Sequence, residues 1–191
     1  MKKILVVVDV QKDFYHPDGA LYVKGGETLP GRIEDVIPYV DDVIFTMDWH
    51  PQSHCSFLYN GGQWPTHCVA FTEGASLPNE FVPFLKGIHD DRCYNVVTKG
   101  MDNEKEEYGA DANAIMTAHD EIISECEFIF CGIAGDYCVK ETINNFIIKF
   151  PNAKVSVLTE CVVSIDDGST LKQLMLEKNI KEIKVSDIIP D

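Results

Sequence analysis

Residues 45–54 read FTMDWHPQSH and place Asp48 and His50 two positions apart at the end of an apolar run. In a strand, positions i and i+2 point to the same face, so these two side chains project together. A carboxylate beside an imidazole suits a divalent metal ion. A pair this short also fits a polar strand end in which His50 closes a loop, so its meaning depends on its neighbours. His67, in the stretch WPTHC, supplies a possible third ligand, and the trio would leave open positions for water or substrate. Mixed oxygen and nitrogen donors suit zinc, iron(II) or manganese without choosing among them. His54 is a fourth candidate, or equally a residue that orders the loop; His16, His89 and His119 have no such spacing and read as surface or packing residues.

A second chemical stretch is CGIAGDYCVKET, residues 131–142. Its small residues Gly132, Ala134 and Gly135 permit a tight strand-to-helix turn whose backbone N–H groups can face a ligand. Cys138 then falls in the first turn of a helix, where the positive dipole end favours thiolate over thiol. A nucleophilic thiol needs a base and a partner for its anion. Asp9 can accept the proton if burial raises its pKa, and Lys99 can hold that carboxylate and favour the thiolate. Each of the three has an ordinary alternative: a packed cysteine, or half of an ion pair.

These residues must be carried by elements that bring them together. Apolar β-branched runs recur at 4–10, 43–47, 94–98, 128–133, 154–158 and 180–185, and the first and fourth are continuous enough for strands buried on both faces. Helical spacing is clearest at 137–150, with Val139, Ile143, Phe146, Ile147 and Phe150 on one stripe and Pro151 after it. Residues 169–179 and 110–126 also read as helices. Alternating strands and helices predict one three-layer α/β/α domain over 1–191, with a mostly parallel, Rossmann-like sheet of about six strands. Ligands of such sheets bind beyond the carboxyl ends of the strands, where Asp9, Asp48, His50, Lys99, Asp136 and Cys138 all stand. Residues 48–90, rich in Gly, Pro, Asn and Ser, predict a loop excursion that holds the metal; Trp64, Phe57 and Phe71 within it argue for order.

The 191 residues suit one domain with a sizeable core. Sixteen Lys and Arg against 31 Asp and Glu give a formal charge of -15, which disfavours nucleic acid and anionic membrane as partners. MKKILVVVDV has the start of a signal peptide, but its apolar stretch is short and runs into Asp9, so it reads as a buried strand. Seven cysteines without a CxxC pair predict reduced thiols in a cytoplasmic protein, with Cys126, Cys131 and Cys161 packed as small apolar residues.

The stretches DVQKDF (9–14), GALYVKGG (19–26), DWHPQSHCSF (48–57), WPTHC (64–68), TKG (98–100) and GIAGDYCVKET (132–142) together resemble the cysteine hydrolases related to isochorismatase, most closely the nicotinamidases. The resemblance runs from the first strand to at least Ser164. It implies Cys138 as nucleophile, Asp9 as general base and Lys99 as third member of a triad. It implies Asp48, His50 and His67 as ligands of one divalent metal, zinc foremost, with iron or manganese as alternatives. The backbone N–H groups of Ala134 and Cys138 match an oxyanion hole, the peptide joining Ile133 to Ala134 matches a cis bond, and Phe14, Trp64 and Tyr108 match aromatic walls of the substrate pocket. The implied reaction is hydrolysis of nicotinamide to nicotinate and ammonia in NAD salvage, by a protein that could form homo-oligomers. Met101, ECVVS (160–164) and Cys55 depart from the pattern and bear on pocket shape. Two other readings stand beside it: an amidase of the same family acting on a carbamoyl or ureido compound, and a non-enzymatic metal-binding or redox-sensing protein with Cys138 as its thiol.

Overall fold

The structure, a computed structural model, describes residues 1–85, 94–117 and 123–190. Six strands, β1 (Lys2–Val8), β2 (Asp42–Asp48), β3 (Tyr94–Lys99), β4 (Cys126–Ile133), β5 (Lys154–Val163) and β6 (Lys181–Ile183), form one sheet in the order β3-β2-β1-β4-β5-β6. Every pairing is parallel. Helices α1 (Lys12–Tyr15), α2 (Leu29–Val36), α3 (Val82–Leu85), α4 (Ala112–Thr117), α5 (Lys140–Lys149) and α6 (Ser169–Lys178) complete the regular elements among the described residues.

Strand β1 explains the layering. Ile4 to Val8 have no exposure, so side chains on both of its faces need cover. Leu5 and Val7 pack with Leu29, Ile33 and Val36 of α2 on one face; Ile4, Val6 and Val8 pack with Ile115, Ile143, Phe146, Leu171 and Leu174 of α4, α5 and α6 on the other. This is the expected three-layer arrangement. The chain winds outward from β1 through β2 to β3, then returns to β4 and winds the other way, which opens a crevice between β1 and β4 at their carboxyl ends. Gly132 lets those strands meet: at its φ of +120° a Cβ would lie 2.0 Å from the Val8 carbonyl oxygen.

Several boundaries differ from expectation. The helix expected at 137–150 is α5 preceded by a π turn, Gly135–Val139, because the chain must first turn out of the sheet. Of the stretch 110–126, α4 covers Ala112–Thr117 and a 3-10 turn covers Ile123–Glu125; residues 118–122, with His119, lie outside the described residues, as do residues 86–93 with His89. The run at 180–185 pairs only over Lys181–Ile183 at the sheet edge. Helix α2 had no counterpart among the expected helices; its Pro30 occupies the first turn, where a missing N–H costs no helical bond. The excursion at 48–90 holds 3-10 turns at Leu58–Asn60, Glu73–Ala75 and Asn79–Phe81, followed by α3.

Helix α5 is seated by Phe146, whose ring lies 4.6 Å from that of Phe128 and 5.6 Å from that of Phe130 on β4. Phe146→Ala is expected to lower stability by about 3–5 kcal/mol through lost burial and a cavity. A thermal melt should show the midpoint falling by roughly 6–20 °C.

Candidate active site

Four strand ends meet at the crevice. Asp9 follows β1 in a left-handed conformation (φ 50°), Asp48 and Lys99 close β2 and β3, and Cys138 lies in the π turn after β4. All four are buried. Lys99 is the centre: its ammonium lies 2.8 Å from Asp9 Oδ2, donates to Asp48 Oδ1 and stands 3.6 Å from Cys138 Sγ. Oδ1 of Asp9 is taken by the Thr46 hydroxyl at 2.6 Å. Oδ2 has the ion-pair contact with Lys99 but accepts no aligned hydrogen bond, and so is the oxygen left for a thiol proton.

The two carboxylates that share this ammonium are pushed apart. Burial raises the pKa of Asp9, against the pull of Lys99 and with reinforcement from the Asp48 charge. Burial would also raise Asp48, but Lys99 together with His50 and His67 holds its carboxyl well below the usual range. Asp48 is thus a fixed anion and Asp9 a group able to take and return a proton. Burial drives the Cys138 thiol upward, and Lys99 is the main opposing influence. This burial opposes the gain of thiolate character expected from its place at a helix start, which leaves the thiol in need of the base that the sequence also called for.

Asp48 Oδ2, His50 Nε2 and His67 Nε2 converge as a second cluster, with ligand atoms within 4.8 Å of one another. Oδ2 lies 3.4 Å from His50 Nε2 and 3.9 Å from His67 Nε2. The donor set fits a cation. His50 Nδ1 lies 2.8 Å from the Gly100 carbonyl and His67 Nδ1 lies 2.7 Å from the Pro65 carbonyl, so each Nδ1 donates to a carbonyl and each Nε2 is the nitrogen turned to the cluster. His54 is not brought to it. Its Nδ1 pairs with the Ser56 hydroxyl at 2.7 Å and its Nε2 with the Lys105 carbonyl at 3.1 Å, while its ring stacks on His50 at 4.1 Å. It therefore orders the loop. Asp136 also turns away from the thiol: its carboxylate accepts the N–H groups of Ile165 and Asp166 at 2.9 and 3.1 Å and fixes the loop after β5.

Both clusters open into one narrow cavity, whose wall includes Phe14, Trp64, His67, Tyr108, Ala134 and Cys138. Trp64 Nε1 and Gln63 Nε2 donate to the Tyr108 hydroxyl at 3.0 and 2.7 Å, joining two loops across the mouth. The Ile133–Ala134 peptide is cis. Sequence reasoning missed several lining residues, Tyr137 and Glu106 among them. Tyr137, whose ring lies 5.2 Å from Trp64 and 5.3 Å from Tyr108, could have been suspected from its place beside Cys138. Glu106, raised in pKa by burial and then by Asp48, lies in a polar run with no periodic signal.

An all-parallel sheet that brings a thiol, an ammonium and a carboxylate to its switch point has the fold of the isochorismatase-like hydrolases. No family model matches the chain. The nicotinamidase of Saccharomyces cerevisiae is 31% identical over 178 residues, 73% of this chain and 79% of that one. PnC1 of L. infantum in complex with nicotinate superposes with a TM-score of 0.80 at 28% identity, covering 98% of this chain and 95% of that one. The pyrazinamidase of Pyrococcus horikoshii in complex with zinc gives a TM-score of 0.73 at 27% identity, covering 96% and 99%. The chain belongs to the nicotinamidase family.

Lys99→Met removes the influence that lowers the thiol pKa, so the midpoint for Cys138 alkylation should move to higher pH. Iodoacetamide labelling of Cys138 at neutral pH, followed by mass spectrometry, should slow at least about tenfold, the effect of one pKa unit.

Proposed function

We propose that this protein hydrolyses nicotinamide to nicotinate and ammonia through a thioester on Cys138, as a step of NAD salvage. The observation that carries the reading is Cys138, backed by Lys99 and Asp9, on the wall of an aromatic-lined cavity that Asp48 and His67 also line, with His50 beside them. Nicotinate bound to the L. infantum relative supports a pyridine ring as the group recognised.

Asp9 takes the proton of Cys138 as the sulfur attacks the carboxamide carbon. The oxyanion is received by the backbone N–H groups of Ala134 and Cys138, each donor of this kind being worth roughly 3 kcal/mol of barrier. Asp9 returns the proton to the leaving nitrogen, and ammonia departs. Asp9 then activates the water that cleaves the thioester, releasing nicotinate and restoring the thiol. Lys99 keeps its charge throughout and holds Asp9 toward the sulfur. Phe14, Trp64 and Tyr108 orient the ring so that the carboxamide lies against the thiol. A divalent cation, zinc before iron or manganese, would be held by Asp48, His50 and His67 and would supply a Lewis-acid anchor for the pyridine nitrogen. The six cysteines among the described residues are free thiols, in keeping with a cytoplasmic setting. No helix among the described residues is long and apolar enough to cross a membrane.

Ammonia release from nicotinamide by the purified, metal-replete protein tests the reading directly; no release with the thiol reduced would sink it. Cys138→Ala should lose turnover by at least about 10⁴-fold while keeping its metal stoichiometry by atomic absorption. Near-native turnover in that variant would contradict the thioester scheme.

A further inference from the structure

The stretch DVQKDF contributes Asp9 to the triad and Phe14 to the cavity wall, which leaves Gln11 and Asp13 without a part in the reaction. Gln11 has no exposure. Its Nε2 donates to the Asp48 carbonyl at 2.8 Å and to the Ala75 carbonyl at 2.9 Å, and its Oε1 accepts the Asp48 N–H at 2.7 Å. The reason for this clamp lies in the sheet. The β1–β2 register ends at Val8 opposite Thr46, with one more bond from the Asp9 N–H to the Thr46 carbonyl; Asp9 then turns the main chain away. The N–H and C=O of Asp48 still face β1 and are left without a backbone partner. The primary amide of Gln11 takes the place of the missing peptide, donating and accepting as a strand would.

Asp13 does the equivalent for the other side of the cluster. Its Oδ2 accepts the Cys68 N–H at 2.7 Å and its Oδ1 the Ala20 N–H at 3.1 Å. Cys68, next to His67, accepts the His50 N–H on its carbonyl at 3.0 Å, and the Ala70 N–H donates to the His50 carbonyl at 2.8 Å. Asp13 therefore fixes the loop that sets His67 against His50.

We infer that Gln11 and Asp13 are positioning residues for the metal cluster: Gln11 sets Asp48 by replacing the lost ladder bonds, and Asp13 sets His67 through the Cys68 N–H. The inference rests on the proposed metal site. Neither side chain is a ligand; both determine whether the three ligand atoms meet in one place.

The test is cobalt(II) titration of the metal-stripped full chain, read by visible d–d absorption and by the dissociation constant. Gln11→Met keeps length and volume while removing all three bonds, Asp13→Asn turns one acceptor into a donor, and Val36→Ala loosens the core away from the cluster. Gln11→Met and Asp13→Asn are expected to weaken cobalt binding at least about tenfold, the usual effect of losing a bond that orients a ligand, with an altered absorption envelope. Val36→Ala should bind as the unaltered chain does. Should Gln11→Met fail to fold, Gln11→Glu keeps the acceptor for the Asp48 N–H and loses the donors, and the same loss is expected. A smaller change in the Gln11 and Asp13 variants, or an equal loss in Val36→Ala, would overturn the inference. An unaltered chain that takes up no cobalt would instead refute the metal reading, and the inference with it.

Discussion

One buried ammonium organises this molecule. Lys99 faces Asp9 and Asp48 at once and stands beside the Cys138 sulfur, so it offsets part of the cost of burying all three groups. Two carboxylates sharing one cation cannot be equivalent. Asp48, further supported by two imidazoles, stays ionised, and Asp9, in the fully buried corner, is raised. The same charge therefore couples the reacting group to the ligand cluster. In the proposed mechanism, a carboxylate raised by burial serves as the base beside the thiol, so no histidine is needed there.

The fold places this charge where it can act. The reversal of strand order between β1 and β4 opens the crevice, and Gly132 lets the two strands touch there without a side chain between them. The chain leaves β4 through the π turn that presents Cys138 and enters α5, which the phenylalanines of β4 hold down. Around the rim, loops replace strands as the source of order. His54 stacks under His50, Asp136 ties down the loop after β5, and Tyr108 receives Trp64 and Gln63 across the mouth. Polar side chains here satisfy main-chain groups that the sheet no longer pairs.

The likeness to nicotinamidases extends over nearly the whole fold, while sequence identity with the solved structures compared stays below one third. Such divergence is tolerated where burial alone is required and less so where a side chain must point at a chosen atom. The departures at Met101 and Cys55 fit that distinction. Met101 is exposed beside Gly100, and Cys55 is part-buried with its N–H on the Asn103 carbonyl, so neither disturbs the ligands.

The sequence by itself determined the strands buried on both faces, the parallel layering and the strand-end residues, because period and apolar runs are local signals and the carboxyl-end rule converts them into position. Asp9, Asp48, His50, His67, Lys99 and Cys138 were legible for that reason and because their motifs resemble a known family. Only the tertiary structure decided the rest. Asp136 stood at the same rim by sequence and proved to bind backbone; His54 had the right chemistry, but both its nitrogens were already engaged; Glu106 and Tyr137 entered the cavity with little warning. Helix α2, eight residues with a proline and a glycine in its first turn, was not among the expected helices. Which proton sits on which group was the furthest from view, since burial and a charge tens of residues away in sequence set it, and neither is written in the residues' local spacing.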